Sequence, residues 1–493
     1  MMNNNAKSPD RKEDKTFFSH ESKTYIVFLL LSAVLSFLYL EIVLPRGAHF
    51  PLWSDAWQYL KNYDIHFQRG GRWFNYLAFD LISVLPKRLA YYLDLLTTAM
   101  LWLCFLKPKR TIHHILLFSV LLLLILSSNI MFSVRFWPGG RIMTNLAAIM
   151  AVLVIRSDFS LMLKLPLILG AVLAIGGGYQ FHHMLLILAF ISPATDKTYN
   201  LKSFAFITGL WMVGFVISYY FADLLAHLKF GEGRAAIEGY RQSQIIGNGT
   251  VETVLLNAQN IILKMIIGPF TQVPIMPVFI LGVMIILTGV VFGIRRMSFP
   301  SDGIYRLLWW VAPIGAIIVI LALANHVYYK RLNLSTLMVF VLGLWIIAQK
   351  SDLAMRAIIL GSVFLFIPQT VSNTFKTRAI DRDITNTKVV LDSILDENRV
   401  NHKTRLTVYD YDHTLARKER NIRISRTYIK QNLGINRFLY CYEPDQRFCR
   451  DLDGVKKRET TKRACQMADK IYTETRGRQI TVYIFNQKTC EKL

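Results

Sequence analysis

A series of apolar runs dominates the sequence from residue 25 to residue 372, and each run is close to the roughly 20 residues that cross a bilayer. These runs constrain the fold more than any motif, because a backbone in lipid must satisfy its hydrogen bonds within helices or closed barrels. From residue 373 onward the sequence becomes polar and charged. The pattern predicts a polytopic α-helical membrane protein that carries a small C-terminal α/β domain.

The predicted organisation has three parts: a tail at 1–23, a transmembrane domain at 24–372 and a C-terminal domain at 373–493. About eleven spans fit the apolar runs. Residues 165–191 are broken by glycines and read as two short spans, with a re-entrant pair or partly unwound helices left open. Residues 74–85 have mixed polarity and predict a helix along the interface. The predicted spans are 24–44, 87–106, 112–128, 142–155, 165–175, 181–191, 204–225, 274–294, 307–323, 334–348 and 357–371.

The net charge of +24 has a topological explanation, because much of it lies in short loops between the predicted spans. Lysines and arginines at 107–110 and 295–296 fall on the same side as the N-terminal tail, and such loops face the cytoplasm. The odd number of spans then predicts a C-terminal domain outside the inner membrane, in the periplasm. No nucleic-acid-binding motif is present, so we expect no nucleic-acid partner.

The C-terminal domain alternates helical and strand patterns, which favours a small α/β domain. Residues 374–398 predict a helix, and 405–410 predict a strand. Helical patterns follow around 414–432 and 461–475, and 479–485 predict a last strand.

Four of the five cysteines fall in this domain, whereas Cys104 lies in an apolar span and reads as a packing residue. Their spacing does not match a zinc site. An even number in an oxidising compartment favours two disulfides, and three pairings are possible. Four thiols in a cytosolic domain are the alternative if the topology is reversed. The disulfide candidates are Cys441, Cys449, Cys465 and Cys490.

Residues 45–73 are too polar and aromatic for a simple connection between spans. Asp55 is flanked by Trp53, Trp57 and Tyr59, and aromatic faces beside a carboxylate suit a sugar and a base for its hydroxyl. Glu41, at the exit of the first span, is a second candidate base. The alternatives are a solvated acid among interfacial aromatics for Asp55, and a salt bridge with an arginine for Glu41.

Arginines recur in the loops predicted to face outside, where the positive-inside tendency makes them unexpected. The planar guanidinium suits a phosphate, although any one of these arginines could instead pair with an acid or a lipid headgroup. The polar stretch 179–183 predicts hydrogen bonding to a substrate or between spans, because adjacent histidines on a helix are a poor metal pair. The phosphate candidates are Arg69, Arg72, Arg135, Arg141 and Arg331, and the substrate candidates of the polar stretch are Tyr179, Gln180 and His182.

Four short stretches resemble membrane glycosyltransferases of the GT-C class, and within that class the phage-encoded serotype-converting O-antigen glucosyltransferases, the Gtr family. The stretches are LEIVLPRG at 40–47, SDAWQYL at 54–60, GGRWFNYL at 70–77 and GGGYQFHH at 176–183. The resemblance covers the layout of the whole membrane domain. It implies a GT-C-like transmembrane catalytic domain.

The resemblance also implies undecaprenyl-phosphate glucose as donor and an O-antigen repeat of lipopolysaccharide as acceptor. Asp55 or Glu41 would deprotonate the acceptor, C1 would be attacked with inversion, and the arginines would stabilise the leaving phosphate. A single acid in the first loop, without an adjacent second one, gives no support to a divalent metal, and no cofactor is otherwise expected. A lipid-linked sugar flippase or transporter, or an O-antigen polymerase, is the alternative. A transporter would carry charges inside its spans and repeats between its halves.

Overall fold

The computed structural model describes most of the apolar helices and part of the C-terminal region. Described are residues 20–44, 64, 67–68, 72–128, 138–157, 159–178, 201–232, 255–256, 258–259, 276–296, 334–397, 405–410, 437–442, 459, 462–467, 471–477, 479–484 and 490.

The described residues are mostly helical, and eleven of the helices are numbered here in chain order. They are α1 His20–Val43, α2 Trp73–Leu77, α3 Phe79–Ser83, α4 Lys87–Cys104, α5 Ile112–Ser127, α6 Pro138–Arg156, α7 Leu161–Gly176, α8 Leu201–Phe230, α9 Met276–Arg295, α10 Leu334–Ala348 and α11 Asp352–Glu397.

The long helices pack side by side as a bundle. Helix α4 lies between α1 and α6, and α7 continues the row from α6 to α8. Helices α1, α10 and α11 surround α5, and α9 packs along α11. Trp102, Trp345, Phe28 and Phe118 are among the largest fully buried side chains, and the last two rings meet edge to face at 5.0 Å. The core is therefore built from aromatic and aliphatic side chains of many helices.

Helix α1 buries small polar residues and exposes large apolar ones. Ser32 and Ser36 are 0% exposed, whereas Leu30 is 62% and Val34 is 54% exposed. A helix on the surface of a water-soluble protein would show the reverse arrangement. Within the described ranges, three helical segments are long and apolar enough to cross a membrane, namely Lys23–Val43, Met276–Arg295 and Asp352–Ala379, and shorter apolar helices accompany them. The architecture fits a membrane helical protein.

Helices α9 and α11 approach each other through small residues. Gly282, Gly289 and Gly293 are buried on one face of α9. A Cβ built on Gly361 of α11 would lie only 2.8 Å from the carbonyl oxygen of Gly282. Small residues that allow backbones this close are typical of helix pairs in lipid, where dispersion contacts replace the hydrophobic effect.

Basic residues gather where one set of helix ends meets, which we call the basic end. Tyr25 donates to the Leu106 carbonyl at 2.8 Å, and Arg110 donates to the Lys23 carbonyl at 2.6 Å. Lys164 donates to the Ile155 carbonyl at 3.3 Å. The first two contacts join the start of α1 to the end of α4 and the residues after it, and the third lies within the α6–α7 connection. We call the opposite end, which contains Glu41, Arg88, Ser127, Arg141 and Gly177, the site end.

Residues 405–484 contribute a four-stranded sheet in the order β2–β1–β4–β3. The strands are β1 Arg405–Asp410, β2 Arg437–Tyr442, β3 Ile471–Arg476 and β4 Gln479–Ile484. Strand β1 runs parallel to β2 and β4, whereas β3 and β4 form an antiparallel hairpin. Gly477 has a φ of +59°, which the first position of a tight two-residue hairpin turn requires.

A disulfide joins Cys465 to Cys490 beside this sheet. This bond is among those that the sequence allows. Cys441 belongs to β2, and Cys449 lies outside the described residues. Helix 462–466 covers the sheet there, because Ala464 and Cys490 pack with Tyr483.

The predicted span positions agree closely with the described helices for spans one to five, seven, eight and ten. Spans six (181–191) and nine (307–323) and the helical pattern at 414–432 lie outside the described residues. The count of about eleven spans therefore stays a prediction.

Two predictions of local structure were wrong, at 471–475 and at Arg141, and two more were helical as predicted but differ in where the helix is interrupted. Residues 471–475 form strand β3 and not a helix, because pairing with β4 outweighs the helical pattern. The predicted interface helix is two short helices separated at Ala78. Span eleven and the helix at 374–398 are one helix of 46 residues with Pro368 inside it. Helix α6 begins at Pro138, a favoured first helical residue, so Arg141 is helical rather than in a loop.

Candidate functional site

Helix α2 is docked onto the end of α7 by backbone hydrogen bonds. The amides of Phe74 and Asn75 both donate to the carbonyl of Gly177, at 3.1 and 3.5 Å. The indole of Trp73 covers the same glycine, because a Cβ at Gly177 would lie 2.4 Å from Trp73 Nε1. Phe221 of α8 meets the indole edge to face at 5.3 Å. The glycine therefore permits the close approach of α2.

The next glycine brings the end of α7 against α6. A Cβ at Gly178 would lie 2.1 Å from Thr144 Oγ1, so a larger residue would displace Thr144. Helix α2 also packs against α6. Residues 72–75, 141–145 and 177–178 thus meet at the site end, and we call this meeting place the junction.

The junction contains a buried ion pair between α4 and α6. Arg141 Nε donates to Asp94 Oδ1 at 2.6 Å, and Arg141 Nη2 donates to Asp94 Oδ2. The side chains are only 3% and 1% exposed. The fork of the guanidinium matches both carboxylate oxygens, which is the strongest geometry for such a pair.

Further polar side chains extend this contact along both helices. Asn145 Nδ2, one turn after Arg141, donates to Thr97 Oγ1 at 3.2 Å and to Thr98 Oγ1 at 3.0 Å. Thr98 in turn donates to the backbone carbonyl of Asp94 at 2.8 Å. Residues four apart on a helix share a face, so α4 and α6 meet along one polar stripe.

Several buried polar atoms of the junction have no hydrogen-bond partner in the part of the chain that the structure describes. They are both side-chain atoms of Asn75, the indole nitrogen of Trp73 and Nη1 of Arg141. Asn75 is 0% exposed. Because buried polar groups are nearly always paired, an unpaired set at one place can indicate a position for a bound group.

A second cluster joins Asp64 and Phe67 to the end of α8. Lys229 Nζ lies 3.3 Å from Asp64 Oδ1 and 3.4 Å from the centre of the Tyr76 ring. Phe67 meets Phe230 at 5.3 Å. Desolvation alone would lower the pKa of Lys229, but hydrogen bonds to Tyr76 and Asp64 outweigh it and raise the pKa. This cluster anchors the end of the first polar loop beside the junction.

Glu41 forms an ion pair with Arg88, at 2.5 Å between the carboxylate and Nη2. Both side chains are partly exposed, at 25% and 32%. The pair joins the end of α1 to the start of α4, in accordance with the salt-bridge alternative for Glu41. The pairing leaves fewer free lone pairs on the Glu41 carboxylate for a proton from an acceptor hydroxyl.

Most residues that the sequence nominates lie outside the described residues. Of the catalytic, phosphate-binding and substrate-binding candidates, Glu41, Arg72 and Arg141 have described side chains. Arg72 precedes α2, at its N-cap position. Roles for the others stay predictions. Outside the described residues are Trp53, Asp55, Trp57, Tyr59, Arg69, Arg135, Tyr179, Gln180, His182, Arg331 and Cys449.

Sequence reasoning missed Asp94 and Asn75. Asp94 interrupts the apolar run of α4, and an acid in a span is by itself a sign of a partner or a function. That signal was available in the sequence. Asn75 carried no such signal in the sequence, because its burial depends on the contact between α2 and α7.

The described residues contain no group of three or more histidine, cysteine or acidic side chains arranged to hold a metal ion.

Comparison with known proteins gives no relative. No protein-family model matches the chain, and neither a curated protein nor a solved structure matches it significantly.

Proposed function

We propose that this chain is an inverting glycosyltransferase that moves glucose from undecaprenyl-phosphate glucose to an O-antigen repeat of lipopolysaccharide. The reaction would take place at the periplasmic face of the bacterial inner membrane. The N-terminus would be cytoplasmic, and the region after residue 372 would form a periplasmic α/β domain. The membrane domain would have about eleven spans in a GT-C-like arrangement.

One observation supports this proposal most strongly. Three segments predicted to face the same side meet at the junction, although they are far apart in the sequence: the end of the GGRW stretch at 72–73, the first turns of α6 and the glycines at 177–178. The basic loops gather at the other end of the bundle. A polar junction at the end away from the cytoplasmic charges is what a periplasmic transferase needs.

The proposed reaction requires one base and one stabilised leaving group. Asp55 would take the proton of the acceptor hydroxyl, whose oxygen attacks C1 of the glucose. The bond between C1 and the phosphate oxygen breaks, and its electron pair stays with the lipid phosphate. Glu41 is the rival base, and its pairing with Arg88 makes Asp55 the stronger candidate.

Arginines would hold the donor phosphate while its charge grows. Because Asp94 compensates the charge of Arg141, we assign the phosphate to the other four candidates. These are Arg69, Arg72, Arg135 and Arg331.

A lipid-linked sugar flippase or transporter is the second candidate, and the Asp94–Arg141 pair favours it. Ionisable residues buried among spans commonly mark a transport path. The pair contacts both α4 and α6, so breaking and remaking it could accompany a movement of these helices. Transfer of sugar between molecules separates the two functions.

The test is transfer of radiolabelled glucose from a polyprenyl-phosphate donor to lipopolysaccharide by the purified chain, with Asp55→Asn and Glu41→Gln compared with the unchanged protein. We expect Asp55→Asn to reduce transfer by about 100-fold or more, in line with the usual contribution of a general base, and Glu41→Gln to reduce it less. If neither substitution reduces transfer, the base assignment is wrong. Movement of the labelled lipid across a vesicle membrane without transfer would favour the transporter.

A further inference from the structure

Asn75 is the most unusual polar residue of the junction. Its side chain is completely buried, and neither Nδ2 nor Oδ1 has a hydrogen-bond partner. Its backbone amide is engaged, because it donates to Gly177, so the local fold does not need the side-chain amide. An amide that is desolvated and unpaired destabilises the protein. Its side chain is therefore suited to pairing with a group that binds at this place.

Two further donors belong to the same junction. Trp73 Nε1 lies two residues before Asn75 on α2, and Arg141 Nη1 lies on α6, against which α2 packs. Neither atom has a hydrogen-bond partner. Together with Asn75 these side chains offer N–H donors and one carbonyl acceptor from different sides of the junction, because residues two apart on a helix do not share a face.

The charge of the junction distinguishes between possible ligands. The Asp94–Arg141 pair is neutral as a unit, and the carbonyl oxygen of Asn75 would repel the oxygens of a phosphate. A hydroxyl group suits this set better, because it both donates and accepts. One amide can accept from one hydroxyl and donate to its neighbour, as it would with two adjacent hydroxyls of a sugar.

We infer that Asn75, Trp73 and the free face of Arg141 bind hydroxyl groups of a hexose at the junction. The identity of the ligand as a sugar rests on the proposed function, whereas the need for a hydroxylated partner rests on the unpaired atoms. The hexose belongs either to the lipid-linked donor or to the acceptor.

Two variants test this inference, and the chain offers a matched control. Asn75→Leu removes the amide at similar volume, and Trp73→Phe removes the indole N–H while keeping a ring. Trp102→Phe is the control, because Trp102 Nε1, like Trp73 Nε1, is a buried atom without a hydrogen-bond partner in the described part of the chain. Trp102 lies two turns beyond Asp94 along α4, away from the junction. A general effect of losing a buried indole would appear in both tryptophan variants.

The experiment measures the affinity of the purified full-length protein in detergent for three probes. They are a short prenyl phosphate carrying one glucose, the same prenyl phosphate without the sugar, and an O-antigen oligosaccharide. We expect the unchanged protein to prefer the glucosylated lipid over the bare one. Asn75→Leu should weaken binding of the hexose-bearing probe about tenfold or more, since one to two well-buried hydrogen bonds are lost. Trp102→Phe should have no effect.

Thermal unfolding of each variant separates binding from folding. Asn75→Leu should keep or raise the melting temperature of the ligand-free protein, because an unpaired buried amide is replaced by an apolar group. A loss of affinity only for the oligosaccharide would also support the inference and would identify the acceptor as the source of the hexose.

The inference is overturned if Asn75→Leu and Trp73→Phe bind all three probes as the unchanged protein does. Water or an empty junction would then explain the unpaired atoms, while glucose transfer by the same preparation would leave the proposed function standing. If the unchanged protein neither prefers a hexose-bearing probe nor transfers glucose, the proposed function fails, and the inference fails with it.

Discussion

At the scale of residues, the Asp94–Arg141 pair gives the clearest energetic prediction. Both charges are almost fully buried, so removing one leaves the other without compensation in a low-dielectric surrounding. We expect Arg141→Leu to lower the free energy of unfolding by about 3–5 kcal/mol. Thermal or denaturant unfolding of the purified protein in detergent measures this loss.

The double variant and a second ion pair provide the controls. Asp94→Leu combined with Arg141→Leu removes both charges and should recover much of the lost stability. Arg88→Leu breaks the partly exposed pair with Glu41 and should cost about 1 kcal/mol or less, because water screens that pair. Equal losses from Arg88→Leu and Arg141→Leu would contradict the assigned burial.

Tyr483 gives a prediction about pH outside the membrane-spanning helices. Burial, with smaller contributions from Glu474 and Tyr409, raises the pKa of Tyr483 to about 12. Because the folded-state pKa exceeds the ordinary value of 10.0, the unfolded form ionises first as the pH rises. The stability that this phenol contributes is complete below pH 10 and is lost between pH 10 and about 12.

The phenolate absorbance of the unchanged protein minus that of Tyr483→Phe isolates this titration. We expect the difference to appear near pH 12. A midpoint near the ordinary value would mean that the phenol is solvated, and that the stacking of Tyr483 on Tyr409 at 5.3 Å does not exist in solution.

Asp94 and Asn75 differ in how far the sequence alone could reveal them as site residues. An acid in an apolar run, such as Asp94, can be recognised from local sequence because charge in lipid is costly. Its partner Arg141 is 47 residues away, and only packing of α4 on α6 pairs them. In the sequence, Asn75 is an ordinary polar residue of a short helix. Its burial follows from the docking of α2 on α7, where the Gly177 carbonyl accepts a hydrogen bond from the Asn75 amide.

At the scale of elements, the contact between α9 and α11 gives the next prediction. Gly361→Ala would put a Cβ 2.6 Å from Ile286 Cγ1 and 2.8 Å from the Gly282 carbonyl oxygen, so the helices must separate. We expect a loss of about 1–3 kcal/mol, the usual cost of overpacking, measured by unfolding in detergent.

Gly170→Ala in α7 is the matched control for that substitution. A Cβ there meets nothing within 4 Å, and alanine is the better helix former by about 1 kcal/mol. Its stability should be unchanged or slightly higher. Equal tolerance at Gly361 and Gly170 would show that α9 and α11 are not in close contact.

Apolar periods located most described helices to within a few residues, because a span must be both long and apolar. Apolar length gave wrong predictions outside the membrane domain, where a helix need be neither apolar nor of a fixed length. Helix α11 continues for 46 residues, or about 70 Å at the usual helical rise, well past the end of its apolar part. Strand β3 was read as a helix because its pairing with β4 is a tertiary contact, although the Gly477 turn is a local hairpin signal.

At the scale of the whole molecule, the topology is the prediction with the widest consequences. A reporter that is active only in the periplasm, fused after residue 372, should be active, because we expect that point to lie outside the inner membrane. Maleimide labelling of unreduced cells should modify neither Cys465 nor Cys490, which are joined. A reporter that is active only in the cytoplasm would contradict both the topology and the oxidising surroundings of that disulfide.

The positions of the basic end and the junction connect this topology to the proposed function. The basic end fits the cytoplasmic face, and the junction lies at the end away from it. Candidate site residues at 45–63, 69–71, 129–137 and 179–200, which lie outside the described part of the chain, could be nominated only by residue type, because the sequence alone does not show which of them are close in space.

The most direct test of the proposed function is a transfer assay with the purified chain in lipid vesicles. Donor labelled in its glucose is supplied with lipopolysaccharide as acceptor, and the label is followed into the acceptor. We expect the unchanged protein to transfer the label to the acceptor, and Asp55→Asn to transfer it at least about 100-fold more slowly. A protein that binds the donor but leaves all of the label on the lipid would contradict it.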